Sequence, residues 1–112
     1  MYLPEFNKYQ VKEITKACVT LIDNGMWAKL SPKIFAIKTN SNSDLFNTSI
    51  AFIKALIYRK TGELDKAEKI YQQIKDKQHF LPSYSSIISF HEAHVQHLLG
   101  KYSKAKEIYK KI

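Results

Sequence analysis

Gly62–Ile74 reads GELDKAEKIYQQI, and Gly100–Ile112 reads GKYSKAKEIYKKI. Six of the thirteen positions are identical: Gly62/Gly100, Lys66/Lys104, Ala67/Ala105, Ile70/Ile108, Tyr71/Tyr109 and Ile74/Ile112, all at an offset of 38. A fixed period of this size marks stacked supersecondary units. In the first copy Leu64, Ala67, Ile70, Tyr71 and Ile74 fall at i, i+3, i+6, i+7 and i+10, one apolar stripe of an α-helix. The glycine ahead of each stripe ends the preceding helix, because only Gly takes a left-handed C-cap without steric cost. The repeating unit is therefore helix, Gly turn, helix.

Composition sets the outer bounds. At 112 residues one domain is expected, and 45% apolar content supplies a core without disulfides. The single cysteine, Cys18, excludes a disulfide framework and makes a reducing compartment the default, so a cytoplasmic or nuclear location is expected. The first residues, MYLPEFNKYQ, lack the charged start and apolar core of a signal peptide, and no apolar run is long enough to span a bilayer. The formal charge of +8 comes from seventeen lysines and one arginine, Arg59. Nucleic-acid readers lean on Arg, which is bidentate and stacks; lysines scattered over helix faces more often solvate a surface. Nucleic-acid binding is the alternative reading of that charge.

These residues resemble the tetratricopeptide (TPR) repeat family, whose pattern places a small residue and an aromatic on the first helix, then A-x3-F/Y on the second. Here that pattern is Ala55-x2-Tyr58, Gly62, Ala67-x3-Tyr71, and again Ala93, Gly100, Ala105-x3-Tyr109. First helices depart from it: Ala51, Lys54, Ser89 and Glu92 stand where the family favours Trp and Leu, and Gln96 replaces the aromatic. The resemblance implies an all-α fold of three antiparallel helix hairpins stacked as a right-handed solenoid. It also implies a non-catalytic protein–protein interaction scaffold.

The remaining chain fits a third, degenerate unit over 7–39. With Gly25 in register with Gly62, Cys18 takes the place of Ala55, Leu21 of Tyr58, Leu30 of Ala67 and Ile34 of Tyr71. The apolar face of Ile14, Ala17, Cys18, Leu21 and Ile22 predicts a first helix over 7–24. Ser31-Pro32 reads as an N-cap and N1 pair, so a second helix is expected from there to about Thr39, with Trp27 in the turn. Asn40–Asn47 reads as a polar loop anchored by Leu45 and Phe46. Helices follow over 48–61 and 63–78, the latter a turn longer than the family's. After a break at HFLPS come helices over 84–99 and 101–112. The three units are thus 7–39, 48–78 and 84–112 of one domain. Because no polar final helix follows Ile112, a continuation into a longer repeat protein, or self-association, is expected.

The order of these parts resembles, more loosely, the N-terminal domain of TPR subunits of the anaphase-promoting complex, subunit seven in particular. The residues that carry this are Asn40-Ser41-Asn42-Ser43-Asp44-Leu45-Phe46 ahead of Tyr58, Ala67 and Tyr71. It implies a homodimerising module in a ubiquitin-ligase scaffold acting in the cell cycle.

Catalytic constellations weigh little. His91, His94 and His97 splay over about 240° of helix, and HEAH is one residue short of the zincin H-E-x-x-H, so groove or surface histidines of a first helix are expected and no metal site. Cys18 sits at a small, core-facing position where a thiol is inert. With three glycines in all, two or three of them used in turns, no phosphate cradle can be built. No catalytic residue and no cofactor is expected.

The family's groove is lined by first helices. Carried over by register, it nominates Thr15, Val19 and Ile22, then Phe52, Leu56 and Arg59, then Phe90, His94 and His97. The Lys, Asn and Arg clamp of chaperone-binding TPR domains is displaced here by Phe52 and Phe90. An apolar groove with a few basic groups suits a helix or an extended peptide. Leu3, Phe6, Val11 and Ile14 at one end, and Tyr109 and Ile112 at the other, are the expected dimer interface.

Overall fold

The computed structural model describes residues 11–38, 43–80 and 84–112. Among the described residues six α-helices run in chain order: α1 Val11–Asp23, α2 Trp27–Phe35, α3 Asp44–Thr61, α4 Leu64–Ile74, α5 Ser85–Leu98 and α6 Tyr102–Lys110. A 3-10 segment, Lys75–Phe80, extends α4. Each pair α1/α2, α3/α4 and α5/α6 packs side by side, and successive pairs stack: α3 lies against both α1 and α2, and α5 lies mainly against α4. This is the expected all-α stack of three helical hairpins.

The three hairpin turns are built alike. Gly25, Gly62 and Gly100 have φ of 82°, 82° and 80°. At Gly62 its N–H donates to the Arg59 carbonyl at 3.2 Å, and the Glu63 N–H donates to the Tyr58 carbonyl at 2.9 Å. The same two bonds recur at Gly25 and Met26, and at Gly100 and Lys101. That crossed pair satisfies carbonyls the ending helix would otherwise leave bare. A Cβ added at Gly62 meets nothing within 4 Å, so the constraint there is the backbone angle alone. Gly62→Val is expected to cost about 1–2 kcal/mol through left-handed strain. Urea unfolding checks this, and an unchanged midpoint would rule out the left-handed cap as the reason for glycine.

Small residues let the paired helices meet. Cys18, Ala55 and Ala93 on the first helices are fully buried, as are Leu30 and Ala67 on the second, with Ala105 close to it. Ile14, Ile22, Ile34, Phe52, Ile53, Leu56, Tyr71, Ile88 and Val95 complete one continuous core. Burial pushes the Cys18 thiol up to about 12, which keeps it protonated at neutral pH.

Helix boundaries differ from the sequence expectation in three places. α2 begins at Trp27, not at Ser31, so Pro32 lies inside the helix and Trp27 opens it. The cap at Gly25 reverses the chain within three residues and leaves no loop for Ser31 to end; buried Leu30 and Ile34 hold a helix that lacks one N–H at Pro32. α3 begins at Asp44 rather than at 48, because the Ser43 side chain accepts the Phe46 N–H at 3.2 Å and Asp44 sits favourably in the first turn. Leu45 and Phe46 therefore belong to a helix rather than a loop. The extra turn expected on the helix over 63–78 is present as the tighter 3-10 segment. Residues 7–10, 39–42 and 81–83, with the expectations placed on them, lie outside the described residues.

Candidate interaction surfaces

Between α1 and α3 the expected groove is closed. Thr15 Oγ1 donates to the Val11 carbonyl at 2.6 Å, and the Ser49 hydroxyl then supplies the proton of the buried Thr15–Ser49 hydrogen bond. Two short polar side chains allow α1 to lie directly on α3. Thr15, Ile22, Phe52 and Leu56 are at most 1% exposed, Phe52 lying against Tyr71 of α4 and His91 of α5. They are core residues, a correction to their place in a partner groove. Val19 and Arg59 stay half-buried at its edge.

Between α3 and α5 the stack is looser, and a small basic cluster collects there. Arg59, in the last turn of α3, places Nη1 3.3 Å from His94 Nδ1 on α5. A guanidinium can only donate, so His94 accepts at Nδ1 and is neutral. Burial, then the Arg59 charge, holds the His94 imidazole below its ordinary range. One turn earlier, His91 lies edge-on to Phe90 at 5.5 Å and tilted against Phe52 at 6.0 Å. Its imidazole is pushed down to about 4 by burial first and the Arg59 charge second; the Asp23 carboxylate of α1 opposes them. Arg59 makes no ion pair among the described residues. Its remaining donors suit a carboxylate or main-chain carbonyl of a partner.

The neutral His91 makes stability depend on pH. Its folded value lies below the ordinary 6.5, so protonation favours the unfolded chain. The stabilisation is full above about pH 6.5 and is lost as pH falls toward about 4. With partial exposure discounted, the loss is on the order of 1–2 kcal/mol. Urea midpoints at pH 7 and pH 4.5 should therefore separate in the parent chain by more than in His91→Phe. Equal separation would mean that His91 titrates normally.

At the end of the stack a different surface is exposed. Phe90 is 49% exposed, Tyr109 39% and Ile112 53%. Phe90 and Tyr109 meet edge-to-face at 5.9 Å, and His97 meets Tyr102 at 5.1 Å. His97, Tyr102, Ala105, Lys106, Tyr109 and Lys110 line an open cleft of about 400 Å³. Of the residues expected at a dimer interface, Tyr109 and Ile112 are thus on the surface. Val11 and Ile14 are 2% and 5% exposed because α1 turns them into its own core, which corrects that expectation; Leu3 and Phe6 lie outside the described residues.

A polar tie joins the second and third hairpins. Glu68 on α4 accepts from Gln96 Nε2 at 2.9 Å and from Lys101 Nζ at 2.7 Å. The Lys101 hydrogen bond, with help from Gln96, holds the Glu68 carboxyl below the usual carboxylate range. Gln96, which stands where the repeat pattern has an aromatic, is thereby satisfied at its amide nitrogen. The sequence singled out neither Glu68 nor His91 for this surface; Phe52/Phe90, one period apart, is the signal that could have drawn attention to His91.

Among the described residues no three His, Cys, Asp or Glu side chains gather as metal ligands, and no helix is long and apolar enough to cross a membrane. No curated protein and no solved structure gives a significant match to the chain. Residues 48–76, covering most of α3, all of α4 and the start of the 3-10 segment, match the tetratricopeptide repeat, so the middle hairpin of the stack is similar to that repeat.

Proposed function

We propose that the chain is a non-catalytic protein–protein interaction scaffold, residing in the cytoplasm or nucleus. The observation that carries this is the tetratricopeptide repeat at 48–76, with the partly exposed Arg59–His94 pair beside it. Tetratricopeptide repeats are generally interaction modules rather than catalysts. Arg59 and His94 form the part of the groove still open to a partner, Val19 stays half-buried on α1, and Phe90 and His97 lie elsewhere on α5. The nucleic-acid reading is not favoured, since the sole arginine is engaged between two helices.

The narrower form of this proposal is a homodimerising N-terminal module of an anaphase-promoting complex subunit. Its support is the order of parts: a short first hairpin, the Ser43–Phe46 stretch opening a long α3, and an extended α4. Capture of partner proteins by the immobilised chain, compared with Arg59→Glu and His94→Glu, tests the scaffold. Capture of nothing by the parent overturns it. Sedimentation equilibrium at ~100 μM tests the dimer, since a weaker association than that has little consequence. If a dimer forms, Phe6→Glu and Tyr109→Glu distinguish its two candidate ends.

A further inference from the structure

We propose that the exposed end of the third hairpin docks an acidic amphipathic helix of a partner polypeptide, seated as α5 is seated on the second hairpin. This rests on the scaffold reading above and names one partner type for one face.

The internal repeat supplies the geometry. Moving 38 residues along the chain carries Phe52 to Phe90, Tyr71 to Tyr109 and Ile74 to Ile112. The first members are 0%, 1% and 4% exposed; their counterparts are 49%, 39% and 53% exposed. The aromatic pair itself is reproduced, with Phe52 and Tyr71 6.5 Å apart at 59° and Phe90 and Tyr109 5.9 Å apart at 62°. What covers the first pair is α5, through a stripe of Tyr84, Ile88, His91, Val95 and Leu99 spaced by 4, 3, 4 and 4 residues. The same receptor surface therefore recurs at the end of the stack, shaped for a helix with that stripe.

Charge identifies the occupant. On the second hairpin, Glu68 receives the Gln96 amide of the seated helix. The equivalent of Glu68, 38 residues on, is Lys106, which lines the open cleft beside Lys110. The sign at this contact is reversed, so the docked helix needs an acceptor where α5 carries Gln96. The surroundings agree: of the six residues lining the cleft, Lys106 and Lys110 are basic and none is acidic. A second copy of this chain would bring the same lysines to the contact, and like charges placed together disfavour it. A helix bearing Asp or Glu beside its apolar stripe meets both demands.

Two synthetic 16-residue peptides test this on the intact 112-residue chain. Both keep the apolar stripe of α5; one carries Glu at the Gln96 position and the outward positions, the other Lys. The Glu peptide should bind at least about tenfold more tightly than the Lys peptide, and its binding should weaken with added salt. Tyr109→Ala should reduce its binding about tenfold or more without moving the melting temperature, since that side chain is part of an exposed face. Lys106→Glu should shift the preference toward the Lys peptide. No binding of the Glu peptide at about 1 mM, or binding indifferent to Tyr109→Ala, overturns the proposal. So does a parent dimer that Tyr109→Ala converts to monomer, because the face then belongs to a second copy. A chain that ignores both peptides yet captures proteins through Arg59 and His94 loses this inference alone. A chain that captures nothing loses the scaffold reading.

Discussion

Phe52→Ala destabilises the chain by about 3–5 kcal/mol, whereas Phe90→Ala, one repeat later, costs less than about 1 kcal/mol. The two residues have the same chemistry and the same register, 38 positions apart. They differ in what lies over them. Phe52 is fully buried, packed against Tyr71 of α4 and His91 of α5, so truncation leaves a cavity with walls on three helices. Phe90 is 49% exposed, and its loss mostly removes a ring that water already touches. Urea midpoints of the two variants, compared at equal slope, give the contrast directly. Similar costs at both sites would mean that the end of the stack is covered in solution by something absent from the isolated chain's fold.

Ala67→Leu destabilises by about 1–3 kcal/mol, because three added carbons must enter a fully packed contact between α3 and α4. Ala67 has no exposed surface, and Ala55 on α3 is also fully buried in the same core. The helices can separate only by giving up the core around Tyr71 and Ile74. Ala105→Leu disrupts the equivalent contact of α5 and α6 but costs less, since Ala105 also borders the 400 Å³ cleft into which a longer side chain can turn. Thermal melts of both variants check the order. A neutral Ala67→Leu would place that residue on the surface and invalidate the repeat register.

The repeat was legible because its signals are local and repeated. Gly62 and Gly100 announce left-handed caps, and the alanines at 67 and 105 announce close helix contacts; neither depends on what packs elsewhere. The start of α2 was not legible in Ser31-Pro32, since that pair fits a helix start by itself and only the tight turn at Gly25 removes the need for one. Ser43 was a readable cap, with Asp44 behind it, masked by the polar run in which it stands. The site was the least legible part. Register says which residues face the neighbouring first helix, but how far apart the helices stand is decided by pairs such as Thr15 and Ser49, 34 residues apart. Those two hydroxyls close the α1–α3 side, Phe52 is buried against Tyr71 of α4 and His91 of α5 instead, and Arg59 and His94 mark the side that stays open.

Cys18 offers a clock. It is the only sulfhydryl in the chain, has no exposed surface, and is kept protonated by its burial. A thiol reagent in solution can react with it only in molecules where α1 has lifted from the core. The labelling rate then counts those excursions, with no second thiol to confuse the trace. Where reclosing outpaces the reagent, the rate is proportional to the fraction open, so its logarithm measures the free energy that holds α1 on the core. Arg59 and His94 join α3 to α5, so the same measurement with a ligand bound there would register whether engaging that contact tightens the grip of α1 on the core.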